Sequence, residues 1–181
     1  PQLRRHPVAC GVLGADGSMH LIEASRALPD QMRLWADSLG KDGVVRPDSV
    51  SLTHVHIGHV DGLGQFGKEV MGSNNLPFYA SSSVIAEMGK REMMAPFRPS
   101  EVVAMQGFKP SEDCGFELIF IPVPHRDEFA DTHAILIRGS DKSALFLPDH
   151  DKWDSTLAEH GAETIRERLS GLGVDIALID G

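Results

Sequence analysis

Three histidines, His54, His56 and His59, fall close together in the stretch 51–67, SLTHVHIGHVDGLGQFG, followed by Asp61 and by Gly62, Gly64 and Gly67. In an extended chain alternate side chains share one side, so His54 and His56 converge on a single point, and a turn of the backbone brings in His59. A neutral imidazole offers a nitrogen lone pair near neutral pH, and zinc takes three such nitrogens plus a water. The spacing therefore suits one metal ion or two, with glycines that let the backbone approach a bound ion. Asp61 is a nearby carboxylate.

Two later positions carry the same kind of chemistry. The apolar run 116–123 reads as a buried strand that ends in Pro122-Val123-Pro124 and presents His125. Arg126, Asp127 and Glu128 come next and can orient a ligand, contact a substrate or simply be solvated. The run 143–147 ends in Pro148-Asp149-His150-Asp151. Asp149 closes that strand, as a metal carboxylate or as a helix cap. His150, its neighbour on an extended chain, points the other way and cannot share an ion with it.

The order strand, His54-Val55-His56-Ile57-Gly58-His59, then Gly62-Leu63, resembles the signature of the metallo-β-lactamase superfamily, a strand followed by His-x-His-x-Asp-His and a glycine-led helix. The chain departs from it at Gly58, which stands where the superfamily has an aspartate that binds the second metal. The resemblance implies an α/β fold, an αββα sandwich forming one domain over 1–181. It implies metal ligands at His54, His56, His59, His125 and Asp149, with one zinc held by His54, His56 and His125. His59 and Asp149 would form a weaker second site and carry the catalytic roles. Asp61, Asp127, Glu128 and His150 are left for orienting or substrate contacts. The superfamily has a last histidine ligand after the strand that follows Asp149, and the sequence stops at Asp180-Gly181. The chain also begins at Pro1, so it is expected to be a fragment, incomplete at both ends.

The implied activity is metal-dependent hydrolysis, in which metal-bound water attacks an ester, thioester, lactone or phosphodiester of a small-molecule substrate. The runs HVHIGHVDGLGQFGKEVMG, LPFYAS, VPHRDEFADTHAILIRG, ALFLPDHDKWD and DIALIDG resemble the subgroup like pyrroloquinoline quinone biosynthesis protein B. That subgroup implies an alternative, iron-dependent oxidative chemistry in making a quinone cofactor. Histidine and carboxylate ligands suit iron or manganese as well as zinc. Gly58 and the missing last ligand motivate a third reading, a non-catalytic member that binds metal or another ligand. The superfamily also implies a homodimer.

Composition bounds the rest. A formal net charge of −9 argues against nucleic acid as a partner, because phosphate binding needs a basic face. The apolar runs are short and interrupted, so no membrane span is expected and a cytoplasmic location is. Cys10 and Cys114 have no C-x-x-C partner and read as buried free thiols. The basic Arg4-Arg5-His6 reads as a solvated terminus.

The elements that must position the site follow from pattern. Apolar runs 8–13 and 19–24 flank Gly14-Ala15-Asp16-Gly17 as a hairpin. Pro29 opens a helix with Met32, Leu34, Trp35 and Leu39 before Gly40. Strand 49–53 delivers His54, and Leu63, Phe66, Val70 and Met71 are spaced for one buried helical face. Strand 76–80 leads through Ser81–83 as cap into helix 84–91. Met88, Met93, Met94 and Phe97 can be core or pocket lining. Pro96 and Pro99 break the chain, and 101–106 reads as a strand. A second hairpin joins 132–138 to 143–147. Helices 153–161 and 162–169, with Ile165, Leu169 and Leu172 inward, precede a buried last strand, 174–179.

Overall fold

The structure, a computed structural model, describes residues 6–179. Arg4, Arg5 and the terminal Asp180-Gly181 lie outside the described residues. The first hairpin forms as its turn chemistry dictates. Strand β1 (Cys10–Leu13) runs antiparallel to β2 (Met19–Ile22), and Gly17 takes the left-handed conformation (φ 83°) that closes the turn. Helix α1 (Leu28–Ser38) has its proline in the first turn, and Gly40, left-handed at φ 64°, lies just past its end. Strand β3 (Ser49–Ser51) pairs parallel to β2, and the short α2 (Ile57–Val60) follows the histidine pair. Next come β4 (Leu76–Ala80), α3 (Ser82–Lys90) and β5 (Phe97–Glu101). The Ser81 hydroxyl caps α3 by accepting from the Val84 N–H. The first sheet has the order β1-β2-β3-β4-β5.

The second sheet holds β6 (Gly107–Phe108), β7 (Phe116–Pro122), β8 (His133–Gly139) and β9 (Ser143–Leu147), all antiparallel neighbours. Helices α4 (Trp153–Glu159) and α5 (Ile165–Gly171) lead to β10 (Ile176–Ile179), which pairs parallel to β9. Alternation along β7 explains the layering. Leu118 and Phe120 pack with Ile22 of the first sheet, whereas Ile119 and Ile121 pack with Leu145, Leu147, Trp153 and Leu169 on the other face. A strand buried on both faces is apolar at nearly every position, as FELIFIP is. A third cluster joins Val50 and Phe78 of the first sheet to Leu28 and Met32 of α1 and to Val84 and Met88 of α3. The result is helices, sheet, sheet, helices. The α/β sandwich expected from the resemblance is the fold of this chain.

Several local expectations are corrected. The face drawn through Leu63, Phe66, Val70 and Met71 is one 3-10 turn, Leu63–Phe66, because Gly64 and Gly67 weaken the helix; Val70 is exposed. The strand expected at 101–106 lies earlier, at β5, and Pro99 does not break it. On an edge strand, proline sacrifices no ladder bond. The segment after it crosses between the sheets, where the Met105 N–H donates to the Phe120 carbonyl at 2.8 Å. Met88 and Phe97 are buried core with Met93 and Met94 packed against it, in line with the core reading of this group rather than the pocket alternative. Ile165 is exposed, though Leu169 and Leu172 pack as expected. The last strand ends the second sheet and is exposed along its whole length.

Both cysteines are free; burial pushes the Cys10 thiol up to about 11, and the Cys114 thiol donates to the Phe116 carbonyl. Among the described residues, no helix is long and apolar enough to cross a membrane.

Candidate metal centre

The histidine pair leaves the first sheet where its parallel strands end. Past β3 the Leu52 N–H donates to the Tyr79 carbonyl, and the Thr53 carbonyl accepts from the His133 N–H, so the segment is held by both sheets. His54 follows, still extended. His56 caps α2 (φ −64°, ψ 145°), and the helical turn that starts there swings His59 back toward the pair. Gly62 is required just beyond. A Cβ on it would lie 2.1 Å from the Ser25 carbonyl oxygen, and its N–H donates to the Ala24 carbonyl at 2.7 Å. The second sheet contributes His125 from the end of β7 and Asp149 from the end of β9, and the Asp151 N–H bonded to the Pro124 carbonyl holds these two exits together.

These side chains meet at one point. His54 Nε2, His59 Nε2 and His125 Nε2 each lie 3.3 Å from Asp149 Oδ2, and His56 Nδ1 lies 3.2 Å from His125 Nε2. One ligand atom from each of His54, His56, His125 and Asp149 falls within 4.8 Å of the others. Each ring is also held from behind by an oxygen. Thr53 Oγ1 is 2.8 Å from His54 Nδ1, Glu23 Oε2 is 2.8 Å from His59 Nδ1, Asp151 Oδ1 is 3.2 Å from His125 Nδ1, and Glu128 Oε2 is 3.5 Å from His56 Nε2.

That pattern decides what the centre can hold. The carboxylates behind His56 and His125 favour a proton on the nitrogen facing them, which leaves the opposite nitrogens free to act as ligands, whereas His59 sits between two carboxylates, Glu23 and Asp149, and carries a proton on each nitrogen. His56 Nδ1 and His125 Nε2, 3.2 Å apart, are spaced either for one N–H···N hydrogen bond or for two bonds to a shared cation. His54 Nε2 is buried with no hydrogen-bond partner of adequate geometry. In a tetrahedral site with bonds of about 2.0–2.1 Å, neighbouring ligand atoms stand about 3.3–3.4 Å apart. The separations of 3.2 and 3.3 Å match that edge, and the donor set of nitrogens and one carboxylate fits zinc or iron.

The electrostatics agree. Desolvation pushes Asp149 up, but the His54 and His59 rings beside its Oδ2 outweigh it and hold the carboxyl well below its usual range. Burial lowers His59, yet its bonds to Asp149 and Glu23 prevail and raise it to about 9. His56 is lowered, first by burial and then by the neighbouring His54.

Not every residue singled out from the sequence joins the centre. His59 is outside the four-atom group and meets it through Asp149 and through its ring against that of His54, centroids 4.1 Å apart. Asp61 pairs instead with Arg26 at 3.5 Å, and Asp127 accepts from Thr132 Oγ1 at 2.8 Å. His150 packs edge-on against Trp153. Glu128 does face the centre, through His56.

The residue the sequence reading missed is Glu23. It lies directly after β2, fully buried, with one carboxylate oxygen accepting from the Thr53 N–H and the other from His59, both at 2.8 Å. A lone acid inside the apolar run MHLIEA was the available signal.

A family model described as the beta-lactamase superfamily domain matches residues 20–181. Among solved structures, the chain is similar to zinc-bound PqqB from Methylobacterium extorquens, at 18% identity and TM-score 0.71, over 96% of this chain and 59% of that one. It is also similar to a diphosphatase of the PhnP family, at 21% identity and TM-score 0.56, over 90% and 56%. A metallo-β-lactamase from Cronobacter sakazakii matches at 16% identity and TM-score 0.62, over 96% and 66%. The chain thus spans 59% of the length of PqqB and 56% of the diphosphatase. Comparison with curated proteins finds no match. With its signature histidines gathered between two sheets and the family model covering most of its length, the chain belongs to the β-lactamase superfamily.

Proposed function

We propose that the protein is a metal-dependent hydrolase with one tightly held ion, zinc, in the centre formed by His54, His56, His125 and Asp149. Its substrate is a small molecule carrying an ester, thioester, lactone or phosphodiester. The observation that carries the reading is the convergence of one ligand atom from each of His54, His56, His125 and Asp149 within 4.8 Å of one another, with His54 Nε2 buried and lacking a hydrogen-bond partner. When bound, the ion supplies Lewis acidity and a water acidified to near neutral pH. Asp149 stays ionised and would hold the ion through Oδ2, leaving its other carboxylate oxygen to accept the water's proton. His59 Nε2, 3.3 Å from Oδ2 and anchored behind by Glu23, keeps the carboxylate aimed at the centre. Gly58 leaves the second position one carboxylate short, which favours a single ion.

A second reading, iron-dependent oxidative chemistry on a quinone precursor, is supported by the higher TM-score to PqqB than to the two hydrolases named above. One experiment separates the two. Metal content is measured by mass spectrometry on protein purified without chelator, beside His54→Ala, and turnover is followed on a phosphodiester, a thioester and a lactone. About one equivalent of zinc, lost in the variant, together with hydrolysis, is the expected result. Retained iron with oxygen-dependent turnover selects the second reading. No bound metal and no uptake on reconstitution overturns both.

A further inference from the structure

Arg91 touches both halves of the centre without belonging to either. It stands at the end of α3, where its Nε pairs with Glu87 Oε1 at 3.0 Å. Its Nη1 donates to the Val55 carbonyl at 2.8 Å, and Val55 is the residue between His54 and His56. The guanidinium carbon also lies 5.5 Å from the centroid of the Phe129 ring, inside the range of a cation–π contact. Phe129 belongs to the segment that runs from His125 to β8, next to Glu128, whose carboxylate faces His56.

That ring is 60% exposed, so burial does little to fix it. Phe129 is a large, mostly exposed apolar side chain next to Glu128, and the Arg91 guanidinium lies over its ring. The fork of Arg91 has geometry that lysine lacks. One edge meets Glu87, one N–H reaches the peptide carbonyl, and the flat face is left for the ring.

We propose that Arg91 is a positioning residue that sets the spacing between the two sheets' contributions to the centre. It holds the His54–His56 peptide by the Val55 carbonyl and pins the 125–130 segment through Phe129, so that Glu128 stays within reach of His56. This rests on the reading of the four-residue group as a metal centre only for its effect on metal; the effect on the 125–130 segment stands apart from it.

The test therefore has two readouts. In metal-free protein, amide hydrogen exchange is followed across 125–131 in wild type, Arg91→Lys, Phe129→Leu and Phe129→Trp. In zinc-loaded protein, release to a chelator is timed for the same four. Arg91→Lys and Phe129→Leu are expected to speed exchange in that segment and to speed zinc release about tenfold, the scale seen when support behind a ligand is removed. Phe129→Trp, which keeps an aromatic face for the guanidinium, is expected to restore both toward wild type. Melting temperature controls for global damage. If Arg91→Lys loosens the whole protein, the leucine and tryptophan variants of an exposed residue decide the matter.

Exchange unchanged in both Arg91→Lys and Phe129→Leu overturns the proposal, as does tryptophan behaving like leucine. If wild type takes up no zinc, the metal reading fails while the exchange comparison still tests the clamp.

Discussion

The supports behind the site histidines divide into a floor and a rim. His54 and His59 are backed by Thr53 and Glu23, both fully buried, whereas His125 and His56 are backed by Asp151 and Glu128, whose side chains are 47% and 57% exposed. Water weakens the rim pairs by dielectric and salt screening, while the floor pairs act in a low-dielectric interior. The same chemical device, an oxygen holding one ring nitrogen, is thus built twice with different strength. One half of the centre is preformed by the core, and the other is tuned by solvent and by the segments that carry it.

The sharpest way to break this contrast is Glu23→Gln. The amide can accept from the Thr53 N–H, but its NH2 then opposes the His59 N–H and leaves a buried donor unpaired. A loss of about 1–3 kcal/mol in stability is expected, with a fall of about tenfold in zinc affinity passed on through His59 to Asp149. Denaturant unfolding and zinc competition measure both, and an affinity within twofold of wild type would remove Glu23 from the floor. Gly58→Asp probes the position between the two regions. A Cβ there meets nothing within 4 Å, so the variant should fold with stability within about 0.5 kcal/mol of wild type. Its metal content should rise from one equivalent toward two, and a stoichiometry fixed at one would place the shortfall elsewhere.

Asp151→Asn tests the rim. An exposed pair is worth about 0–1 kcal/mol, so zinc affinity should fall by no more than about fivefold, with a drop that shrinks in high salt. An effect as large as that of Glu23→Gln would erase the distinction. The smallest expected effect is the pH dependence of the metal-free protein. His20 and His133 are both lowered, chiefly by burial, so their rings gain a proton more readily in the unfolded chain. Stability should therefore fall as pH drops below about 6.5, above the range where carboxylates titrate. His59, raised to about 9, acts in the opposite sense but only above about pH 6.5, so melting temperatures flat between about pH 6.5 and about 5.5 would show that neither ring is desolvated in solution.

Much of the floor plan is legible in the chain itself. His54, His56, His125 and Asp149 lie within a few residues past the ends of β3, β7 and β9, and strand ends are recognisable from apolar alternation that stops at proline or a polar run. The supports are not legible in the same way. Glu23 reaches His59 across thirty-six positions, and only the parallel pairing of β2 with β3 brings them together. Asp151 contacts His125 because its own N–H bends back to Pro124. The misread segments share a cause: in 63–71 and 97–106 the decisive facts were glycine content and edge position, which side-chain periodicity does not record. Asp61 was singled out for an orienting or substrate contact because it is near in sequence, while its partner Arg26 comes from the loop after β2.

Glu23 has a left-handed backbone, φ 69°, a conformation in which glycine would be at ease and a branched carboxylate chain is strained by about 1–2 kcal/mol. Position 23 is therefore caught between two demands. A search for a more robust protein, by directed evolution or by consensus, would be drawn toward glycine or asparagine here, and each such gain in robustness would strip the floor of the acid that orients it. The residue marks a spot where improvement of the scaffold and preservation of the centre run in opposite directions, and where a stabilised variant should be suspected of having lost its metal.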